Sequence, residues 1–380
     1  MATGIRGLRR LWLWGAAGVV VVLVIVGSAV RAPAKDWWLG RQACGGKLSA
    51  DDLATVRTDV RLGSEEESFD KVSGRYSCLL EDENGKVVVA VEAYPDGYER
   101  EKELAFAGGS HPPHAVLPGG LPGFESDHSE VYLMPECPRG GEPYEESRKL
   151  LVTTWTYFAE SREEKAAMLR LAVGMTNEVS EKLGCGGEPL PVPDDGAVPD
   201  TGTYVPRAEA KGTACDAFTT TRVPAAGREG TVRIAIADAG IVGRCTLYEP
   251  GATGDDTGDG DRPAMGDPLV ELTSWRGYWS VNMRQMGSGP DPLPMDPGPA
   301  WKPALTESRA WAVARCGGES TGFAAHWGYD YPHWEEREPG PPTAKDRQKR
   351  RELLREYVAA FAKDQVRRGN CMDLRLPPQP

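Results

Sequence analysis

The sequence predicts an α+β chain: one N-terminal transmembrane helix followed by two tandem α-β-β-β-β-α modules with antiparallel sheets. Three observations carry this reading. Residues 11–30 (LWLWGAAGVVVVLVIVGSAV) contain no charge. Eight cysteines fall into two groups of four with the same short, long, medium order of gaps. The segments around those cysteines also recur in order and in type, strand-like in one place and helical in another.

The apolar run sets the compartment. Twenty residues at a rise of about 1.5 Å each span a hydrocarbon core of roughly 30 Å. Arg6, Arg9 and Arg10 precede it and hold residues 1–10 in the cytoplasm, so the remainder is expected outside. Trp12, Trp14, Trp37 and Trp38 stand near its two ends, where amphipathic rings prefer the interface. A cleaved signal peptide is the competing reading, since Ala32-Pro33-Ala34 offers small residues at cleavage spacing. Both readings export the rest of the chain. The expected localisation is the cell membrane, single-pass, with the bulk extracytoplasmic.

Charge excludes one class of partner. The formal net charge is −12, and residues 31–380 carry −15, from 41 basic against 56 acidic residues. Such a body repels phosphate, so no nucleic acid is expected as a partner. Hydrophobic residues make up 40% of the chain, enough for ordinary cores, and Gly 45 with Pro 31 implies abundant loops.

The first module is expected over 40–185. Ser49 can cap a helix over 50–60, with Asp51 and Asp52 in its positive first turn and Leu53, Val56 and Val60 on one face. Residues 78–94 read as a hairpin around Asn84-Gly85. Leu169, Ala172, Val173, Thr176, Val179 and Leu183 make one face of a closing helix. The second module, over 214–371, repeats the order. Its strand-like 267–275 (DPLVELTSW) answers 86–94 (KVVVAVEAY), 311–316 (WAVARC) answers 131–137 (VYLMPEC), and 322–329 (GFAAHWGY) answers 150–158 (LLVTTWTYF). Leu354, Tyr357, Val358, Phe361 and Val366 line its closing helix, while Thr219–Thr221 and Pro224 disfavour an opening one. Prolines at 189, 191, 193, 199 and 206 mark 186–213 as a linker, and 372–380 reads as a tail.

Cys44, Cys78, Cys137, Cys185, Cys215, Cys245, Cys316 and Cys371 are expected as disulfides within each module. Zinc would draw close pairs, and no two cysteines here are nearer than thirty positions. Four cysteines per module allow three connectivities, and spacing does not choose among them.

No chemistry emerges. The motifs H-E-x-x-H, G-x-S-x-G, G-x-x-x-x-G-K-[ST] and G-x-G-x-x-G are absent. No catalytic residue, metal ligand or cofactor is assigned. His111-Pro112-Pro113-His114 cannot share a helical face across two prolines. Asp255, Thr257 and Asp259 resemble the start of a calcium loop, but Gly266 stands where its bidentate Glu belongs. Tryptophans gather in the second module, with Trp275, Trp279 and Trp327 as candidates for an exposed partner-binding patch. Basic residues from Lys345 to Arg368 give its closing helix a positive outer side.

The Arg-flanked anchor, the Ala-, Gly- and Pro-rich composition and Cys44-Gly45-Gly46 with downstream strand cysteines carry a likeness. The chain resembles uncharacterised, N-terminally membrane-anchored exported proteins of actinobacteria. That resemblance covers the full chain and implies a compartment, with no known activity. The expected function is a non-enzymatic envelope protein that binds an envelope protein or polymer; the alternative is an extracytoplasmic hydrolase without a recognisable motif.

Overall fold

The computed structural model describes residues 34–57, 60–70, 73–95, 97–110, 113–126, 129–139, 149–157, 159–236, 240–250, 265–280, 302–328 and 343–379. The apolar segment 11–30, the acidic loop 255–261, His111, His128 and His333 lie outside them. Among the described residues no helix is long and apolar enough to cross a membrane.

Module one opens with helix α1 over 34–46 and α2 (Ala50–Val56). The Ser49 hydroxyl caps α2, accepting from the Asp52 amide at 3.3 Å, and the helix stops short of the expected end at 60. Strands β1 (Leu62–Phe69), β2 (Tyr76–Asp82) and β3 (Val87–Tyr94) form a meander. The expected Asn-Gly turn joins the last two. Asp82 accepts from the Asn84 and Lys86 amides at 2.7 and 2.8 Å, and Gly85 takes a φ of +75°. After α3 (Gly97–Ser110), the short strands β4 (Pro113–Val116), β5 (Gly123–Ser126) and β6 (Glu130–Leu133) lead to β7 (Leu151–Thr156). Helix α4 (Arg162–Lys182) closes the module behind a capping box of Ser161 and Glu164.

Module two comprises β8 (Thr203–Pro206), the single turn α5 (Ala217–Thr220), β9 (Thr231–Ala235), β10 (Val242–Pro250), β11 (Met265–Arg276), β12 (Ala304–Leu305), β13 (Arg309–Cys316) and β14 (Glu319–Trp327). The 25-residue α6 (Ala344–Arg368) and β15 (Met372–Arg375) end it.

Both sheets are antiparallel, and each has more strands than the expected four. Module one is seven-stranded in the order β1-β2-β3-β7-β6-β5-β4; module two is eight-stranded, β12-β13-β14-β11-β10-β9-β8, with β15 also on β13. The strands the sequence hid are short edges such as β4, β8, β12 and β15, which lack a stretch of alternating apolar residues. Strand β8 lies within the segment expected as a linker, and β15 within the expected tail. Pro206 is tolerated because it ends an edge strand, where no ladder donor is missed.

Register makes the two modules equivalent residue by residue. Cys78 faces Val91, which faces Thr154, which faces Val131. Cys245 faces Leu272, which faces Ala325, which faces Ala310. Strands β1-β2-β3-β7-β6-β5 therefore match β9-β10-β11-β14-β13-β12. In this register His326 takes the place of Trp155.

The disulfides are equivalent too. They join Cys44 to Cys78, Cys137 to Cys185, Cys215 to Cys245 and Cys316 to Cys371, the nearest-neighbour connectivity in each module. One bridge ties the opening segment to the second matched strand, and the other pins the end of the closing helix. Each contributes about 2–4 kcal/mol by restricting the unfolded chain.

Alternation along the strands gives each sheet two buried faces. One face packs on the module's helices. In module one Cys78, Leu80, Val91 and Val152 meet Leu169, Ala172, Val173 and Val179 of α4. In module two Cys245, Leu272, Ala312 and Phe323 meet Leu354, Tyr357, Val358 and Phe361 of α6. The opposite faces meet each other. Tyr94, Phe124, Tyr132, Met134 and Leu151 of module one share a cluster with Val242, Trp275, Trp279 and Trp311 of module two. The result is a helix–sheet–sheet–helix stack, closed along one side where Val116 and Asp200 exchange backbone hydrogen bonds.

Candidate functional site

The most concentrated chemistry lies on the inner face of the second sheet. Its register sets one row of side chains across five strands: Arg233, Thr246, Glu271, His326 and Arg309. Period-two alternation brings these residues to the face that turns away from α6. Arg244, two residues before Thr246, joins the row by an ion pair with Glu271. The Glu271 carboxylate also stands 3.5 Å from His326 Nε2. Glu271 is only 1% exposed. Burial alone would push its carboxyl up, but Arg244, His326 and Arg233 together hold it below the ordinary value. Burial holds the His326 ring below its usual pKa, against the pull of Glu271, so the imidazole is neutral at pH 7. Its Nδ1 lies 3.1 Å from the Trp327 carbonyl.

This is a neutral imidazole beside an ionised, arginine-bound carboxylate. The hydroxyls of Thr246 and Thr273 flank it and have no hydrogen-bond partner among the described residues. At the edge Arg233 reaches module one. Its guanidinium donates to the carbonyls of Thr201 (2.7 Å) and His114, and lies 3.4 Å from His114 Nδ1.

The first sheet's inner face is acidic where the second is basic. Tyr94 donates to Glu92, and Tyr132 donates to Glu130 at 2.6 Å. Burial raises Glu130 to about 7, with its Tyr132 hydrogen bond opposing. Glu103 of α3 is raised as well, by burial and then by Glu92. On β5, burial raises Glu125 to about 7 against the attraction of Lys165 and Arg233. Glu92, Glu103 and Glu130 are half-buried, whereas Glu125, opposite Val131 in register, is buried. Among the described residues, no group of three His, Cys, Asp or Glu is arranged to hold a metal ion.

An open groove lies elsewhere, beside the first disulfide. Its volume is about 430 Å³, and Cys44, Lys47, Glu67, Tyr76, Glu178 and Lys182 line it. Two of its charge pairs are internal, Lys47 with Glu178 at 2.7 Å and Lys182 with Glu67 at 2.5 Å, while Glu181 on the same lining adds one acid beyond the two lysines. Lys182 also lies 4.7 Å from the centroid of the Tyr76 ring.

The expected aromatic patch is not exposed. Trp275 is 0% and Trp279 3% exposed, because both turn into the joint between the sheets. There Phe124 meets them edge-on, with centroids 5.8 and 5.4 Å away. Trp327 is half-buried against the α6 side, and its indole donates to the Glu307 carbonyl at 3.3 Å. The partner of the first two rings is therefore the other module. The basic helix is present, but several of its charges are engaged: Arg347 with Glu307 at 3.0 Å, and Arg355 with the carbonyls of Pro377 and Pro378. His114 and His326 are the two described histidines, and they lie in different strands near Arg233 and Glu271. The buried Arg244–Glu271–His326 cluster went unread in the sequence; the signal was a charge of each sign at alternate positions of strands otherwise apolar.

Neither a family model nor a curated protein matches this chain. Among solved structures it is similar to the di-domain ARO/CYC BexL from the BE-7585A biosynthetic pathway, at 9% identity over 80% of this chain and 79% of that one. The TM-score is 0.17, too low to carry any inference about fold or function.

Proposed function

We propose that this chain is a membrane-anchored extracytoplasmic protein whose two modules act as one rigid binding body for a protein or polymer of the cell envelope, without catalysis. The observation that carries the reading is the pairing of all eight cysteines, two bridges per module in equivalent places. Such a set persists in an oxidising compartment and is reduced in the cytosol. The apolar segment 11–30 and the arginines before it supply the anchor.

The hydrolase alternative needs carboxylates converging on an open cleft. The carboxyls with raised pKa, Glu103, Glu125 and Glu130, are half-buried or buried and line no open groove, while in the open groove Glu67 and Glu178 are bound to lysines beside Glu181. Burial of Trp275 and Trp279 moves the expected contact surface off the second module's aromatics and toward this groove. A lining of lysine–glutamate pairs around Tyr76 suits an extended peptide or a polar polymer.

Cross-linking of the full chain in its own membrane, followed by pull-down, tests this. A defined partner is expected, and it should be lost when Lys47→Glu and Lys182→Glu reverse the groove. Turnover of an envelope polymer by the purified chain, abolished by Glu125→Gln or Glu271→Gln, would overturn it.

A further inference from the structure

The side of α1 that faces away from the core carries the two most exposed aromatic residues among those described. Trp37 is 59% and Trp38 50% exposed. A single exposed ring needs no explanation, but two adjacent tryptophans left in water are a cost that a partner would remove. Most other described tryptophans have found cover: Trp275, Trp279 and Trp311 are 4% exposed or less.

Helix α1 is fixed to the body at both ends. Near its start Asp36 accepts from Arg57 at 2.6 Å and from the Leu62 amide at 2.8 Å. Leu39 and Ala43, one turn apart, are buried in the core, and Cys44 is bridged to Cys78. The apolar run ends at residue 30, so six steps separate it from Asp36. Fully extended, those steps reach about 20 Å; coiled as a helix they reach about 9 Å. The headgroup layer adds roughly 5–8 Å on each side of the hydrocarbon. A body tethered this closely rests on the bilayer, and Trp37 and Trp38 are among the first residues beyond the tether.

Charge favours lipid over a protein contact. The exposed side chains of α1 include Trp37, Trp38, Arg41 and Gln42, and Lys35, whose ammonium donates to the Gly63 carbonyl, without one acid, on a chain whose net charge is −12. The Arg41 guanidinium lies 4.5 Å from the centroid of the Trp37 ring, a cation–indole pair suited to the phosphate layer of an anionic leaflet.

We infer that this face of α1 seats in the headgroup layer of the same membrane that anchors the chain, through Trp37, Trp38 and Arg41, and so sets the orientation of both modules on the membrane. The inference rests on the anchored reading above.

The test reconstitutes the full chain in vesicles of phosphatidylcholine and phosphatidylglycerol, part of the lipid brominated near the headgroup end of its acyl chains. Wild type and the Trp37→Phe/Trp38→Phe variant, which keeps aromatic bulk, are compared by tryptophan fluorescence. Quenching in the wild type should contain a component that the variant loses. Arg41→Glu should weaken that component as the share of phosphatidylglycerol rises. Equal quenching of variant and wild type overturns the seating. So does a benzophenone amino acid at position 38 that cross-links to a protein instead of lipid in the native membrane. Release of the full chain by alkaline carbonate overturns the anchor and the seating together, whereas retention without quenching overturns the seating alone.

Discussion

Arg100 of α3 and Tyr278, which follows β11 by two residues, form a buried cation–π pair across the two modules, the guanidinium carbon 4.5 Å from the ring centroid. Arg100 is 0% exposed. It also donates to the Tyr278 hydroxyl at 3.1 Å, to the Pro95 carbonyl at 3.1 Å and to the carbonyl of Lys149. One planar cation thus satisfies groups on three separate segments, which its forked geometry allows and an ammonium does not.

Arg100→Ala should therefore destabilise the chain by about 3–5 kcal/mol, since it leaves buried carbonyls unpaired and removes the aromatic contact. Arg100→Lys should recover less than half of that loss. Denaturant unfolding checks both. A cost below about 1 kcal/mol for the alanine variant would mean that water takes over these bonds.

Trp275 fills the centre of the joint. Its truncation to alanine removes a ring packed on Phe124 and should cost about 3–5 kcal/mol. The same variant should separate one unfolding transition into two, because that cluster is the apolar part of what the modules share. Calorimetry would show it; a single undiminished transition would place the coupling elsewhere, along the Val116–Asp200 edge.

Stability should fall from mildly acid to mildly alkaline pH. Glu125 and Glu130 are raised by burial to about 7 from an ordinary 4.5, so both bind protons more tightly folded than unfolded. Their contribution is complete below about 4.5 and is lost as pH rises through about 7. Glu125→Gln/Glu130→Gln should flatten this fall and add on the order of 1–3 kcal/mol at pH 8. His326 has the opposite sign. Its lowered pKa contributes stability above 6.5 that is lost as pH falls, a loss that Glu271, also lowered, deepens in acid and that the double variant leaves in place.

Removing the bridge between Cys44 and Cys78 by paired serine substitution should cost about 2–5 kcal/mol. It should also free the end of α1 and speed hydrogen exchange there, while the matched bridge in module two keeps its protection. Exchange mass spectrometry reads the contrast directly.

Much of the architecture was legible because it depends on local pattern. Ser49 caps the helix that follows, as expected, and Ser161 and Thr343, unread in the sequence, do the same. Leu169, Ala172, Val173, Thr176 and Val179 read as one helical face and are buried as one. Asn84-Gly85 marked a hairpin, and it is one. The short edge strands were not legible, since Pro113–Val116 and Thr203–Pro206 have no alternation and form only because a longer neighbour offers a free edge. Nor was the inner chemistry. Glu271 and His326 are 55 positions apart and become neighbours through the register of β11 and β14.

By itself, then, the sequence determined an α+β class with antiparallel sheets, the places of the closing helices and of the longer strands around the cysteines, and the division of eight cysteines into two like sets. Periodicity, capping and turn chemistry act within a few residues, so the chain carries them openly. Tertiary structure alone decided which cysteines pair, that the inner faces of the two sheets meet, and that Trp275 and Trp279 are buried there. Those outcomes depend on strand register and on which apolar face finds another. A tryptophan's chemistry is the same in a core and on a surface, and only the packing of distant segments chooses between them.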